Sequence, residues 1–218
     1  MPVNIYEWKD EISLESLGQD LKDRAGRSRL MSYVSQLLKV TPRPQVDPEP
    51  TDLQDYINFY GEQVTKDAIG DIEEYQNLRL TGHTIGGLPT GFDPLSIRMG
   101  RVRPSNTAIS VIGEGLIGWY LQQKRGLRPV SSPIGAGPDF IYYDVRTTPA
   151  RTMLVEVKST QQASVTQQIR DAAVPLLNYA LHLAHSGAPF SCLIAGVIIK
   201  STSDFEILSL ELELQGSS

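Results

Sequence analysis

A single cysteine, Cys192, leaves the chain without an intramolecular disulfide. It falls in the apolar run SCLIAGVIIK and reads as a buried, inert thiol of a reducing compartment. Three histidines beside that one thiol are too few ligands for a structural zinc site. His83 lies in a Gly/Pro-rich stretch and reads as a polar loop residue. No apolar run approaches the roughly 18 residues that cross a bilayer. The opening MPVNIYEWKDE carries no apolar signal core, so a cytoplasmic protein without membrane contact is expected. Neither a P-loop nor a GxGxxG pattern occurs, which argues against nucleotide hydrolysis and Rossmann redox chemistry. There is no internal repeat.

What the chain does have is enough apolar residue, 40% against 21% charged, to bury a core rather than remain disordered. Its net charge of −5 argues against a nucleic-acid partner, but the charge is unevenly placed. Residues 1–95 and 131–218 are both acidic in balance, whereas Arg98, Arg101, Arg103, Lys124, Arg125 and Arg128 face only Glu114 between 96 and 130. A basic segment inside an acidic chain is a candidate phosphate footprint, and these six are the predicted nucleic-acid-binding residues.

Composition divides the chain into an N-terminal helical segment (1–40), a Pro-rich linker TPRPQVDPEP (41–50), a helical and loop extension (51–108) and a core (109–218). In the core, ISVIGEGLIGWYLQQKRG predicts a helix with an apolar stripe at Ile112, Leu116, Trp119 and Tyr120, ended by Gly126. Glu114 falls in its first turn, where the helix dipole favours an acid. LRPVSSPI is extended, and GPDFIYYD and RTMLVEVKST read as a strand hairpin. ASVTQQIRDAAVPLLNYALHLAHSG is helical, with Pro175 expected to kink it or restart it. SCLIAGVIIKS and DFEILSLELEL close the chain as strands, the first central. The order implies a mixed α/β layered sheet.

MLVEVKST poses a question of charge. Residues i and i+2 of a strand share a face, so Glu156 and Lys158 stand side by side while Val155 and Val157 face away. Asp139 starts the preceding strand, and in a hairpin the start of one strand meets the end of the other. Two carboxylates converging there suit a hard divalent cation such as Mg²⁺ (or Mn²⁺), with the lysine orienting a water or stabilising charge on a phosphate.

Pro138-Asp139 followed by Glu156-Val157-Lys158 resembles the PD-(D/E)xK signature of restriction-endonuclease-like nucleases. GEGLIGWYLQQKRG is similar to the GE-containing first helix of its Holliday-junction-resolvase-like members. The resemblance covers about residues 110–215. It implies a restriction-endonuclease-like core of mixed sheet and flanking helices in α-β-β-β-α-β order, behind an N-terminal, mainly helical extension. It further implies Mg²⁺ held by Asp139, Glu156 and the Val157 carbonyl, with Lys158 and Glu114 assisting catalysis. The expected activity is metal-dependent hydrolysis of DNA in restriction, repair or mobile-element biology. One branch of the family places a glutamine four residues before a tyrosine. Here Tyr179 has Pro175 at that place, and Gln167 or Gln168 is the candidate accessory residue instead. Cutting both strands takes two sites, so a homodimer is expected, and residues 1–108 offer a surface for a further protein partner. The alternative is a non-catalytic module binding nucleic acid or protein on the same fold, against which the intact Asp/Glu/Lys set counts.

Overall fold

A strand as apolar as FSCLIAGVIIKS must be covered on both faces, and the rest of the chain is arranged to cover it. The computed structural model describes residues 3–39, 55–57, 106–131, 137–148, 150–183, 190–201 and 204–215. The linker 41–50, nearly all of the 51–108 extension, His83, Arg98, Arg101 and Arg103 lie outside the described residues. In chain order the elements are β1 (Val3–Ser13), α1 (Leu14–Asp20), α2 (Arg24–Leu37), α3 (Asn106–Trp119), β2 (Arg128–Ser131), β3 (Phe140–Asp144), β4 (Arg151–Thr160), α4 (Thr166–Leu183), β5 (Phe190–Ser201) and β6 (Asp204–Gln215). A single π-turn, Tyr120–Lys124, continues α3. It ends at Gly126, whose φ of 63° only glycine adopts without strain.

The strands form one mixed sheet in the order β1-β6-β5-β4-β3-β2. β5 is buried from Phe190 to Ile199, parallel to β4 on one side and antiparallel to β6 on the other. The parallel β4–β5 pair needs a crossover, which α4 supplies. Alternation then sorts the side chains into two layers. Met153, Val155, Val157, Leu193, Ala195 and Val197 pack with Val111, Ile112, Leu116 and Trp119 of α3. Leu154, Cys192, Ile194, Leu210 and Leu212 pack with Ile169, Ala173 and Leu177 of α4 and with Leu17 and Leu30 of α1 and α2. Among the described residues, no helix is long and apolar enough to cross a membrane. Burial pushes the Cys192 thiol pKa upward, as an inert core thiol requires.

Three local expectations change. Segment 1–40 opens with an eleven-residue strand, not a helix. β1 lies parallel to β6, with Val3 and Ile5 in the α3 layer and Trp8 in the α4 layer. The charges at Glu7, Lys9, Asp10 and Glu11 obscure the alternation. One of them is needed where it is, since Lys9 pairs with Glu213 at 2.5 Å. Pro175 does not start a second helix but stays inside a single α4, because the buried Ala172, Ala173, Leu176 and Leu177 hold the helix down on both sides of it. Finally, α3 starts at Asn106, so Glu114 lies well inside it and the helix-dipole account of that acid does not apply.

If β1 belongs to the cooperative core, Ile5→Ala should cost about 2–5 kcal/mol. The exposed neighbour Glu7, changed to alanine, should stay within about 0.5 kcal/mol. Urea midpoints of the two variants measure this, and equal small effects would exclude β1 from that core.

Candidate functional site

The ladder between β3 and β4 begins at Phe140–Val155 and runs away from Glu156. On that side, β4 has no ladder partner beyond Val155 among the described residues. The buried Pro138 precedes the turn into β3, and Asp139 fills the space that a strand would occupy. Its Oδ2 accepts the Val157 N–H at 2.7 Å. A strand residue points its N–H and C=O toward the same neighbour, so the Val157 carbonyl also opens toward Asp139.

Glu156 and Lys158 share a face, as the period of two requires, with Lys158 Nζ donating to Glu156 Oε1 at 2.5 Å. The carboxylate is 18% exposed and the ammonium 37%. On the other side of β4, Lys158 is paired with Gly196. A Cβ there would lie 2.4 Å from Val165 and 2.7 Å from Ile169, so the bare glycine lets the start of α4 settle beside the lysine.

From the opposite face of the sheet, α3 brings Glu114 within electrostatic range of Asp139 and Lys158, and the glycines on either side of it let the helix pack closely. A Cβ at Gly113 would sit 1.7 Å from Ser159 Oγ, and one at Gly115 would sit 2.6 Å from the Ile57 backbone. The helix therefore touches β4 one residue past Lys158. Burial, reinforced by the Asp139 charge and opposed by Lys158, pushes Glu114 up to about 7. Burial also raises Glu156, with the Asp139 charge adding to it and the Lys158 hydrogen bond acting against it. Asp139 and the Glu156–Lys158 pair thus lie together with Glu114 in electrostatic range, leaving an excess of negative charge in a half-buried place.

That excess and its hard oxygen donors fit a divalent cation that keeps most of its waters. Among the described residues, no group of three or more Asp, Glu, His and Cys side chains is placed to hold a metal ion, so the protein's share of such a site would be two carboxylates and a carbonyl. Asp139, Glu156 and the Val157 carbonyl are the atoms that would hold such an ion, with water completing the shell.

Four predicted residues, Glu114, Asp139, Glu156 and Lys158, therefore influence one another at the β4 edge. Gln168 lies in the first turn of α4, its Oε1 buried without a hydrogen-bond partner. Of the predicted basic set, Arg125 is bonded to the buried Glu211 at 2.6 Å and Lys124 sits 5.4 Å above the Trp119 ring. Arg128 is exposed on β2. Gly113 is the sequence signal for the close helix–strand approach, and with Ser159 it positions Glu114, whereas Gly115 makes room for Ile57. Comparison of the chain with protein-family models, curated proteins and solved structures gives no match.

A raised carboxylate pKa has a definite sign. Between the ordinary 4.5 and about 7 the folded protein binds more protons at Glu114 than the unfolded chain does. Its contribution to stability therefore falls as pH rises through that window. Without divalent metal, Glu114→Gln should flatten this fall and make the protein more stable than wild type at pH 8, as read by urea unfolding at pH 5 and 8. Parallel curves for the two proteins would contradict the raised pKa.

Proposed function

We propose that the chain is a metal-dependent nuclease of the PD-(D/E)xK, restriction-endonuclease-like class, hydrolysing phosphodiester bonds of DNA. The observation that carries this reading is Asp139 bonded to β4 beside the Glu156–Lys158 pair, where β4 extends beyond β3, with Glu114 of α3 in range of the Asp139 and Lys158 charges. A plain surface ion pair on an edge strand would need neither Asp139 nor a helix drawn onto β4 at Gly113.

The chemistry follows from the groups present. Asp139, Glu156 and the Val157 carbonyl supply oxygen ligands for Mg²⁺ or Mn²⁺. When bound, such an ion polarises a phosphoryl oxygen and lowers the pKa of a coordinated water. Lys158 offers a positive charge to the attacking water or to the oxygens on which negative charge develops. Glu114, titrating near neutrality, can accept a proton from that water and release it to solvent.

The test is nicking of supercoiled plasmid with Mg²⁺ or Mn²⁺, against EDTA. Wild type should cut only with metal. Lys158→Ala should lose about 10²–10⁴-fold in turnover while binding DNA nearly as well, because its role lies in the transition state. Cleavage that survives in EDTA, or in Lys158→Ala, would overturn the mechanism. Metal-independent DNA binding without any cleavage would favour a non-catalytic module.

A further inference from the structure

From Val111 to Leu121, every residue of α3 and its π-turn except Glu114 is buried. A helix enclosed all round needs a second wall opposite the sheet, and residues 55–57 supply part of it. We propose that Ile57 is a positioning residue for Glu114, so that a piece of the N-terminal extension helps to build the β4 site. The inference rests on the nuclease reading and adds to it a residue from outside the 109–218 core.

The contact is one of backbones. A Cβ at Gly115 would lie 2.6 Å from Ile57 Cα and 2.9 Å from its nitrogen. Ile57 is itself 1% exposed and belongs to the apolar layer that holds Val111, Ile112 and Leu116. Its neighbour Tyr56 is tied to the same helical run about two turns further on, where its hydroxyl accepts from Gln123 Nε2 at 3.1 Å. Two points of attachment lay this short piece along α3.

Its place around the helix is what bears on Glu114. At about 100° per residue, Gly113 and Gly115 lie about 200° apart, on nearly opposite faces, with Glu114 midway between them. Gly113 meets Ser159 and Val197 of the sheet, and Gly115 meets Ile57. α3 is therefore held between β4 and the extension at the two residues that bracket Glu114, whose side chain leaves sideways. A glycine lets two backbones approach, but it presents no side chain to interlock with the strand. Gly113 alone thus does little to stop the helix rolling. A roll of about 10° would carry the end of a side chain, roughly 5–6 Å from the helix axis, through about 1 Å. Misplacement of that size costs a reacting group on the order of 10²-fold in rate. Ile57 opposes the roll from the far side and so fixes Glu114 relative to the Asp139 and Lys158 charges.

The experiment takes the full chain in EDTA and reads urea midpoints at pH 5 and 8. The fall in stability that Glu114→Gln removes measures how Glu114 is seated. Ile57→Ala should lower both midpoints and shrink that fall by at least about half, because a carboxylate free to swing into water titrates as an ordinary one. In the Glu114→Gln background the same change should lower both midpoints equally. So should Ile5→Ala in the wild-type background, a core truncation on β1, three strands from β4. Ile57→Val, one methyl smaller, should act as Ile57→Ala does but by less, and serves if Ile57→Ala fails to fold. With Mg²⁺ and plasmid, Ile57→Ala should lower kcat about 10–100-fold at nearly constant KM. Once Glu114 is glutamine, the further loss should be less than about threefold. A full wild-type fall in the folded Ile57 variants, or no Glu114-dependent fall in wild type, would overturn the inference. Undiminished kcat would do the same and leave the nuclease reading standing. A diminished fall in a protein whose wild type never cuts would uphold Ile57 as the residue that seats Glu114 and overturn the nuclease reading.

Discussion

β4 is paired with β5 from Thr152 to Thr160 but with β3 only as far as Val155, and the candidate chemistry depends on that shortfall. A backbone N–H left beyond the last rung must find another acceptor, and at Val157 it finds the Asp139 carboxylate. One bond thus closes the sheet edge and fixes an anion beside Glu156. The same uncovered edge leaves a carbonyl facing that anion. Had β3 extended two residues further, Asp139 would be one more strand residue and the site would be closed.

Two groups of acids show how differently one sheet can treat carboxylates. Glu211 and Glu213 are more deeply buried than Glu156 and Glu114, yet each meets cations, Arg125 and Lys9 for the first and Lys9 and Arg151 for the second. Burial alone would raise Glu213, but Lys9 and Arg151 outweigh it and lower its pKa. That network joins β1, β4, β6 and the end of α3 and needs nothing from outside. At the β4 edge Lys158 pairs with Glu156, while burial and the Asp139 charge leave Glu114 near neutrality. Incomplete compensation is what separates a candidate site from a structural staple.

The sheet and its site were legible to different depths. Asp139, Glu156 and Lys158 could be brought together from sequence because hairpin pairing and a period of two are local rules, and both hold in β3 and β4. The central place of β5 followed from a run with no polar face. β1 was hidden because Lys9 and its acidic neighbours read as solvated helix until Glu211 and Glu213, some two hundred residues away, are set beside them. The start of α3 was placed three residues late, which made Glu114 look like a helix-dipole residue.

The parallel pairing of β1 with β6 bears on how the protein is made. About two hundred residues separate Val3 from its partner Phe205, so β1 leaves the ribosome long before the strand it pairs with. Such distant pairing is slow to nucleate and leaves an unpaired apolar strand exposed during synthesis. The charges of Glu7, Lys9, Asp10 and Glu11 then act before folding as well as after it, keeping that waiting strand soluble and poor at pairing with copies of itself. Residues that disguise a strand in the sequence are, on the nascent chain, what protects it.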